Sequence, residues 1–423
     1  MKIVIENVRI IDPAHNIDTV SNIYLDHQTL VAKQEHYADF NPDKIIDASN
    51  QILIPGAVDL FATIPHSGRE NQATLETELN AAKNSGISAV CCSPALNPVA
   101  DTPAIVELLL SRVQMCKGAD AHIYGALTSG LKGQQLSNMA ALKQAGCVAV
   151  TNAYVPIENT ALLRHSFEYA ATYDILIILI PQDYALARLG YIHEGKVSAR
   201  TGLRGIPEVA ESIDVARALQ LAEFTGARLH FSQISTAKSV ELIADAKAKG
   251  LPITCDVSIN QLFLSEIDVS EYDTNCYVYP PLRDFQNQQA LVRGLQNHTI
   301  DAICSAHMPL EPYAKQVPFT EALPGISSLD IFVPLSFRLV LQNKLSWSAW
   351  VSCISTYPKN ILQLKNTGLN PGEIADFFIF DPEKNYCFNR EKILSKGLNT
   401  PYQDWPMQGK VTANFIYKFL SKG

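Results

Sequence analysis

The sequence has no run of about 18 apolar residues, the length a helix needs to cross a bilayer. Its longest apolar stretch, Ile175 to Pro181, has the length of a strand. The opening residues, Met1 to Arg9, alternate as a strand does and hold no apolar core of a secretion signal. Basic charge is scarce: 34 Lys and Arg stand against 42 Asp and Glu, a net charge of −8. No basic excess is left to neutralise phosphates, so nucleic acid is not an expected partner. Cys-x-x-Cys never occurs, and the nine cysteines are scattered and odd in number, with Cys91 and Cys92 adjacent. Neither a disulfide framework nor a structural zinc site is expected, and a reducing cytoplasm is the expected home. Gly202-Leu-Arg-Gly-Ile-Pro has the spacing of no phosphate loop.

What is present is a chain of 423 residues, 47% apolar and 18% charged. That is the composition of a globular protein, long enough for one large domain and a smaller one. Short strands fill residues 1–52, and strand patterns return after 370. The two ends are expected to pair into a small β-sandwich domain of residues 1–52 and 370–423, leaving 53–369 as the large domain. There, strand-like runs fall at 52–63, 87–93, 121–128, 147–152, 175–180, 228–233, 253–258 and 300–305. Helical patterns at 74–84, 103–115, 159–172, 208–225 and 237–249 lie between them. Eight alternating units predict an α/β fold, a (β/α)8 barrel, whose chemistry belongs at the C-terminal ends of the strands.

Several segments recur in one order. Pro55-Gly-Ala-Val-Asp-Leu opens the barrel, and Glu70 to Thr74 enters the first helix. Ser93-Pro-Ala-Leu-Asn-Pro98, Gly205-Ile-Pro-Glu-Val-Ala-Glu211, Ser235-Thr236 and Pro280-Pro-Leu-Arg283 follow. Ala306-His-Met-Pro309, Leu323-Pro-Gly-Ile326 and Ser395-Lys-Gly-Leu-Asn-Thr-Pro401 complete the set. Together they resemble the dihydroorotases of the amidohydrolase superfamily, of the type found beside aspartate transcarbamoylase, over nearly the whole chain.

The resemblance implies where a metal site would stand. The family's Asp-x-His-x-His becomes Asp59-Leu-Phe-Ala-Thr, with Phe61 and Thr63 in place of the histidines. The bridging aspartate falls on Asn152, the histidines after the fifth and sixth strands on Ile180 and Gln233, and the catalytic aspartate on Ala306. Substrate contacts fall on Pro65, Ala95, Tyr279 and Leu310. Ring opening of a cyclic amide needs a metal-bound hydroxide and a carboxylate to carry its proton to the leaving nitrogen. With these residues replaced, the resemblance implies a chain with no zinc, no cofactor and no catalysis.

Other residues have a bland reading and a sharp one. His230 and His307, which survive from the family motifs, are expected to be packed, hydrogen-bonded imidazoles rather than ligands. His66 with Glu70 is expected to be solvated surface rather than a relocated site. Asp59 is expected to bond backbone amides, and Cys91-Cys92 to be buried and inert. The resemblance further implies a noncatalytic subunit in a hetero-oligomer with the aspartate transcarbamoylase catalytic chain, supporting that enzyme's assembly or activity in pyrimidine biosynthesis. Two rivals stand beside it: a hydrolase of dihydroorotate or another cyclic amide with non-standard metal ligation, and a small-molecule sensor using the vacated pocket.

Overall fold

The computed structural model describes residues 1–34, 37, 40–65 and 71–417. Eight parallel strands form one sheet in strictly sequential order: β1 (Ala57–Ala62), β2 (Ile87–Cys92), β3 (Asp120–Ala126), β4 (Ala149–Thr151), β5 (Ile177–Leu179), β6 (Leu229–Phe231), β7 (Ile253–Ser258) and β8 (Ala302–Cys304). Helices lie between the strands, as the alternating pattern predicts.

The helix starts follow from capping chemistry. Thr74 accepts the Thr77 amide at the head of Leu75–Asn84, and Thr77 bonds back, so the two satisfy otherwise orphaned amides reciprocally. Asn159 does the same work for Thr160–Thr172, and Thr236 for Ala237–Ala248.

The barrel closes between β1 and β8 with little ladder. The Thr63 amide donates to the His307 carbonyl at 2.8 Å. Asp59 on β1 accepts the Ser305 amide at 2.7 Å and the Ser305 hydroxyl beside it. A side chain thus replaces backbone pairing at the seam, and the expectation that Asp59 holds backbone amides matches this geometry.

Both chain ends share one seven-stranded sheet. Its order is Pro406–Ile416, Asp376–Cys387, Ile52–Pro55, Lys2–Asp12, Ile17–Asp26 and Thr29–Lys33, with Lys44–Asp47 pairing Lys2–Asp12 off that path. One face buries Ile3, Ile5, Ile10, Leu53, Phe377 and Phe415 among themselves. The other turns Phe378 and Phe380 into the main core.

The single strand expected over 52–63 is in fact two. Ile52–Pro55 belongs to the terminal sheet, paired with Lys2–Asp12 and Asp376–Cys387, while Ala57–Ala62 begins the barrel. Gly56 makes the passage possible. A Cβ there would lie 2.3 Å from Asp376 Oδ1 and 2.5 Å from Ser88 Cβ, so no other residue fits.

Candidate functional site

At the C-terminal mouth, alternating residues of the short strands point into the barrel. Phe61 is fully buried there. Its ring meets Tyr154 edge-on at 5.5 Å and tilts against Tyr124 at 6.5 Å. Ile178, Ile180, Cys304 and Ala306 complete the same apolar cluster. The Gln233 side chain bonds the Tyr154 hydroxyl at 3.1 Å, and the Tyr124 hydroxyl donates to the Leu60 carbonyl at 2.7 Å. The mouth is therefore plugged with apolar side chains, and the polar groups of Tyr124, Tyr154 and Gln233 are bonded within the protein.

Of the positions singled out by sequence, Phe61, Ile180, Gln233 and Ala306 converge on this plug. Asn152 does not: its Oδ1 accepts from Thr128 at 2.6 Å and its amide donates to the Val155 carbonyl at 2.8 Å. Ala95 is exposed. Leu310 is buried, with its amide on Asn399 Oδ1 at 2.8 Å. Tyr279 donates to the Gly190 carbonyl at 2.8 Å. Beside Ala306, Tyr154 and Tyr279 a cavity of about 100 Å³ remains. Pro65 adjoins an undescribed stretch, and His66 and Glu70 lie outside the described residues.

The backbone keeps an unusual shape at the mouth. Ala153, Gln233 and Ala306, each just beyond a strand end, have φ of 50°, 61° and 50°. A non-glycine residue in this left-handed region stores strain of roughly 1–2 kcal/mol. Such strain clusters at functional sites, and here it persists on an alanine, a glutamine and another alanine.

Zinc requires several converging nitrogen, sulfur or carboxylate ligands. The positions named above offer one spare oxygen, Thr63 Oγ1, buried without a hydrogen-bond partner. Its neighbours along the mouth are a phenyl ring, aliphatic side chains and an amide already bonded to Tyr154. This set does not fit a zinc ion.

The surviving histidines are wired into protein. His230 bonds Thr254 Oγ1 at 2.8 Å and Asp256 Oδ2 at 2.9 Å. His307 bonds Glu78 Oε2 at 3.0 Å and accepts the Ser328 amide at 3.1 Å. Both are fully buried. Asp256 is the residue that sequence reasoning missed. This buried carboxylate on β7 also takes the Gln233 amide at 2.6 Å and the Ser232 hydroxyl at 3.0 Å. The signal was a lone acid inside an apolar strand, Ile253-Thr-Cys-Asp-Val-Ser, where an unpaired charge would be costly.

Asp59 carries a consequence for pH. Burial pushes its carboxyl up to about 6, against the hydrogen bonds from Ser305 that pull it down. The folded state then holds this proton more tightly than the unfolded chain. The resulting stability is fully present below the ordinary carboxyl value and is lost as pH rises through about 6. A two-unit shift is worth about 3 kcal/mol across the whole window. Asp59→Asn keeps the shape without the proton. The variant should therefore gain on the wild type as pH rises from 4 to 7, as read from paired urea midpoints. A difference that does not change with pH would contradict it.

Cys91 and Cys92 are buried, and burial drives both thiols up, Cys92 to about 12. Neither is a thiolate at neutral pH.

Among the described residues, one group of three His, Asp or Glu stands close enough to share an ion. His193, Glu208 and Asp284 have ligand atoms within 4.8 Å of one another. Each already has a partner. An Arg283 nitrogen, which can only donate, faces His193 Nδ1 at 3.4 Å and leaves the ring proton on Nε2. The Asn287 amide donates to Glu208 Oε1 at 2.6 Å and to Asp284 Oδ1 at 2.8 Å. Asn287 is itself held by the Ala237 amide on its Oδ1 at 2.7 Å. Burial, and then the Arg283 charge, hold the His193 imidazole below its ordinary value. The group reads as a hydrogen-bonded hub around a buried arginine.

Residues 50–239 match the family model described as dihydro-orotase-like. A dihydroorotase-like protein of Pseudomonas aeruginosa is 38% identical over 416 residues, 98% of each chain. A protein of Syntrophotalea carbinolica named dihydroorotase is 35% identical over the same share of both. Among solved structures, the L-hydantoinase (dihydropyrimidinase) of Arthrobacter aurescens superposes with a TM-score of 0.86 at 20% identity, covering 99% of this chain and 97% of that one. At that identity the likeness shows the barrel fold.

Proposed function

The chain belongs to the dihydroorotase-like family, and from that premise we propose that it is a noncatalytic member supporting the assembly or activity of aspartate transcarbamoylase. The observation that carries the reading is the plugged mouth. Phe61, Ile180 and Ala306 stand where the resemblance puts two metal ligands and the catalytic acid, and Gln233 is bonded to Tyr154. Opening a cyclic amide needs an activated hydroxide and a carboxylate free to move its proton. The buried carboxylates nearest in the barrel, Asp59 and Asp256, are held by Ser305 and by His230, Ser232 and Gln233. The partner comes from the family resemblance alone.

The second reading, a hydrolase with altered ligation, rests on the His193 group. It would require His193 to free Nε2 by moving its ring proton to Nδ1, toward the Arg283 nitrogen 3.4 Å away. That is a poor exchange for a cation placed beside a guanidinium.

One preparation tests both readings. The purified chain should hold no stoichiometric zinc after dialysis against a mild chelator. Dihydroorotate ring opening should stay at the uncatalysed level, also in Phe61→His with Thr63→His, because Ile180, Gln233 and Ala306 still fail as ligands or acid. Mixed with the organism's aspartate transcarbamoylase, the chain should co-elute in size-exclusion chromatography and raise its activity. The contact should bury more than about 1,000 Å² in total, the size of a specific interface. One retained zinc per chain with measurable turnover would favour the hydrolase. Separate elution with unchanged transcarbamoylase activity would end the subunit reading.

A further inference from the structure

A second cavity, of about 390 Å³, lies outside the plugged mouth. The turns Thr274–Cys276 and Pro312–Lys315, which follow β7 and β8, supply one part of its lining, and residues 390–403 supply the other. That volume lies in the range of small-molecule sites.

The whole chain carries a net charge of −8, yet this lining has two cations, Lys315 and Arg390, and no carboxylate among the described residues. Lys315 is 8% exposed, and a lysine so buried is ordinarily paired with an acid. Here its Nζ donates to the Thr274 carbonyl at 2.7 Å and the Tyr277 carbonyl at 3.3 Å, with the Tyr277 ring centre 5.9 Å away. An ammonium has three donors, so the two carbonyls leave one over. Burial pulls this amine down to about 7, against Cys276 and Asp273, which push it up. Asp273 is engaged elsewhere: its Oδ1 takes both Asn275 amides, at 2.9 and 3.1 Å, and its Oδ2 faces the Cys276 thiol at 3.8 Å. Arg390 is exposed, and among the described residues no acid pairs with its guanidinium. Asn399 and Gln403 donate to the Met308 carbonyl and to Asp404, which leaves the exposed Gln316 amide as a further donor. Pro312, Ile393 and Leu398 make the apolar part of the wall.

We infer that this cavity binds a small phosphomonoester, its phosphate between Lys315 and Arg390 and its organic group on Pro312, Ile393 and Leu398. Three observations select that class. Two cations from separate segments, with no acid between them, ask for an anion of more than one charge, and charge-assisted hydrogen bonds are the strong ones. The Gln316 amide adds a third donor, and a phosphoryl group offers three acceptor oxygens. The volume exceeds what a bare phosphate ion fills, and the surplus wall is apolar. The assignment goes beyond the proposed function and does not rest on it.

Calorimetric titration of the full chain with phenyl phosphate, beside inorganic phosphate and benzoate, tests it. Phenyl phosphate should bind saturably at millimolar concentration or below, about tenfold or more tighter than benzoate and tighter than inorganic phosphate. Arg390→Ala, at an exposed position, should weaken binding by about tenfold or more, the scale of one lost charge contact. The ester is close to a full dianion at pH 7 and at pH 9, while the free Lys315 amine loses its proton over that range. Affinity should therefore fall by about tenfold or more from pH 7 to pH 9, with proton uptake on binding at pH 8. Lys315→Met should remove that pH dependence. If Lys315→Met fails to fold, the pH series on the wild type and Arg390→Ala still decide. Lack of saturable binding, equal binding of benzoate, wild-type affinity in Arg390→Ala, or the same affinity at both pH values would each overturn the assignment. Tighter binding of inorganic phosphate would give the cavity to the free ion and overturn the ester.

Discussion

Glu211→Ala is expected to destabilise the chain by roughly 3–5 kcal/mol, the cost of leaving a buried charge without its partner. Glu211 and Arg283 are 2% and 3% exposed, so water cannot take over for either. The carboxylate accepts the Ser235 and Thr236 amides at 3.1 and 3.0 Å, together with both of their hydroxyls. The Arg283 guanidinium approaches it at 4.0 Å and reaches Ser235 Oγ at 3.0 Å and the Ile206 carbonyl at 3.0 Å. Alanine would strand two amides and take from the buried guanidinium the largest of the negative charges that act on it. The denaturation midpoint followed by circular dichroism should fall clearly. Adding Arg283→Met to Glu211→Ala should recover part of the loss, because the stranded cation goes with it. A double variant less stable by the plain sum of both losses would show that the two residues act separately. Arg283 also faces His193 at 3.4 Å, so the single variant should also loosen the hub that the rival metal reading needs.

Phe61→Ala is expected to cost about 3–5 kcal/mol, as for other fully buried aromatic rings cut to alanine. The ring fills the centre of the mouth against Tyr154, Tyr124 and Ile180. Because β1 is anchored on either side of Phe61, by Asp59 to Ser305 and by Thr63 to His307, the barrel cannot collapse far into the gap. Under the proposed function this variant separates stability from activity. Below its own unfolding midpoint it should still co-elute with aspartate transcarbamoylase and support it as well as the wild type does, since no chemistry passes through Phe61. Loss of that support in a folded Phe61→Ala chain would mean the plug itself is read by the partner. Phe61→Leu, which keeps most of the volume, should lose less stability than alanine.

Element types were legible in the chain because they follow local periods. Alternation over two residues and capping threonines and asparagines are properties of neighbours, so the eight barrel strands and five of the helices between them could be named with ends within two residues, apart from the start of the first strand, while Met139–Gln144 and Phe285–Gln296 were not named. The replaced positions were legible for a similar reason: Phe61, Ile180 and Ala306 cannot ligate zinc whatever surrounds them. The composition also disfavoured nucleic acid, and no helix among the described residues is long and apolar enough to cross a membrane.

Tertiary structure decided everything that depends on distant residues meeting. It split the run 52–63 at Gly56, because the Asp376 side chain, from the far end of the chain, leaves no room for a Cβ there. It gave His230 the carboxylate of Asp256, 26 residues away, and His307 that of Glu78, 229 residues away. His193, Glu208 and Asp284 came together around Arg283. No spacing along the chain encodes these meetings. A buried charge must find a partner somewhere, but which residue answers is set by where the barrel and the terminal sheet bring the backbone.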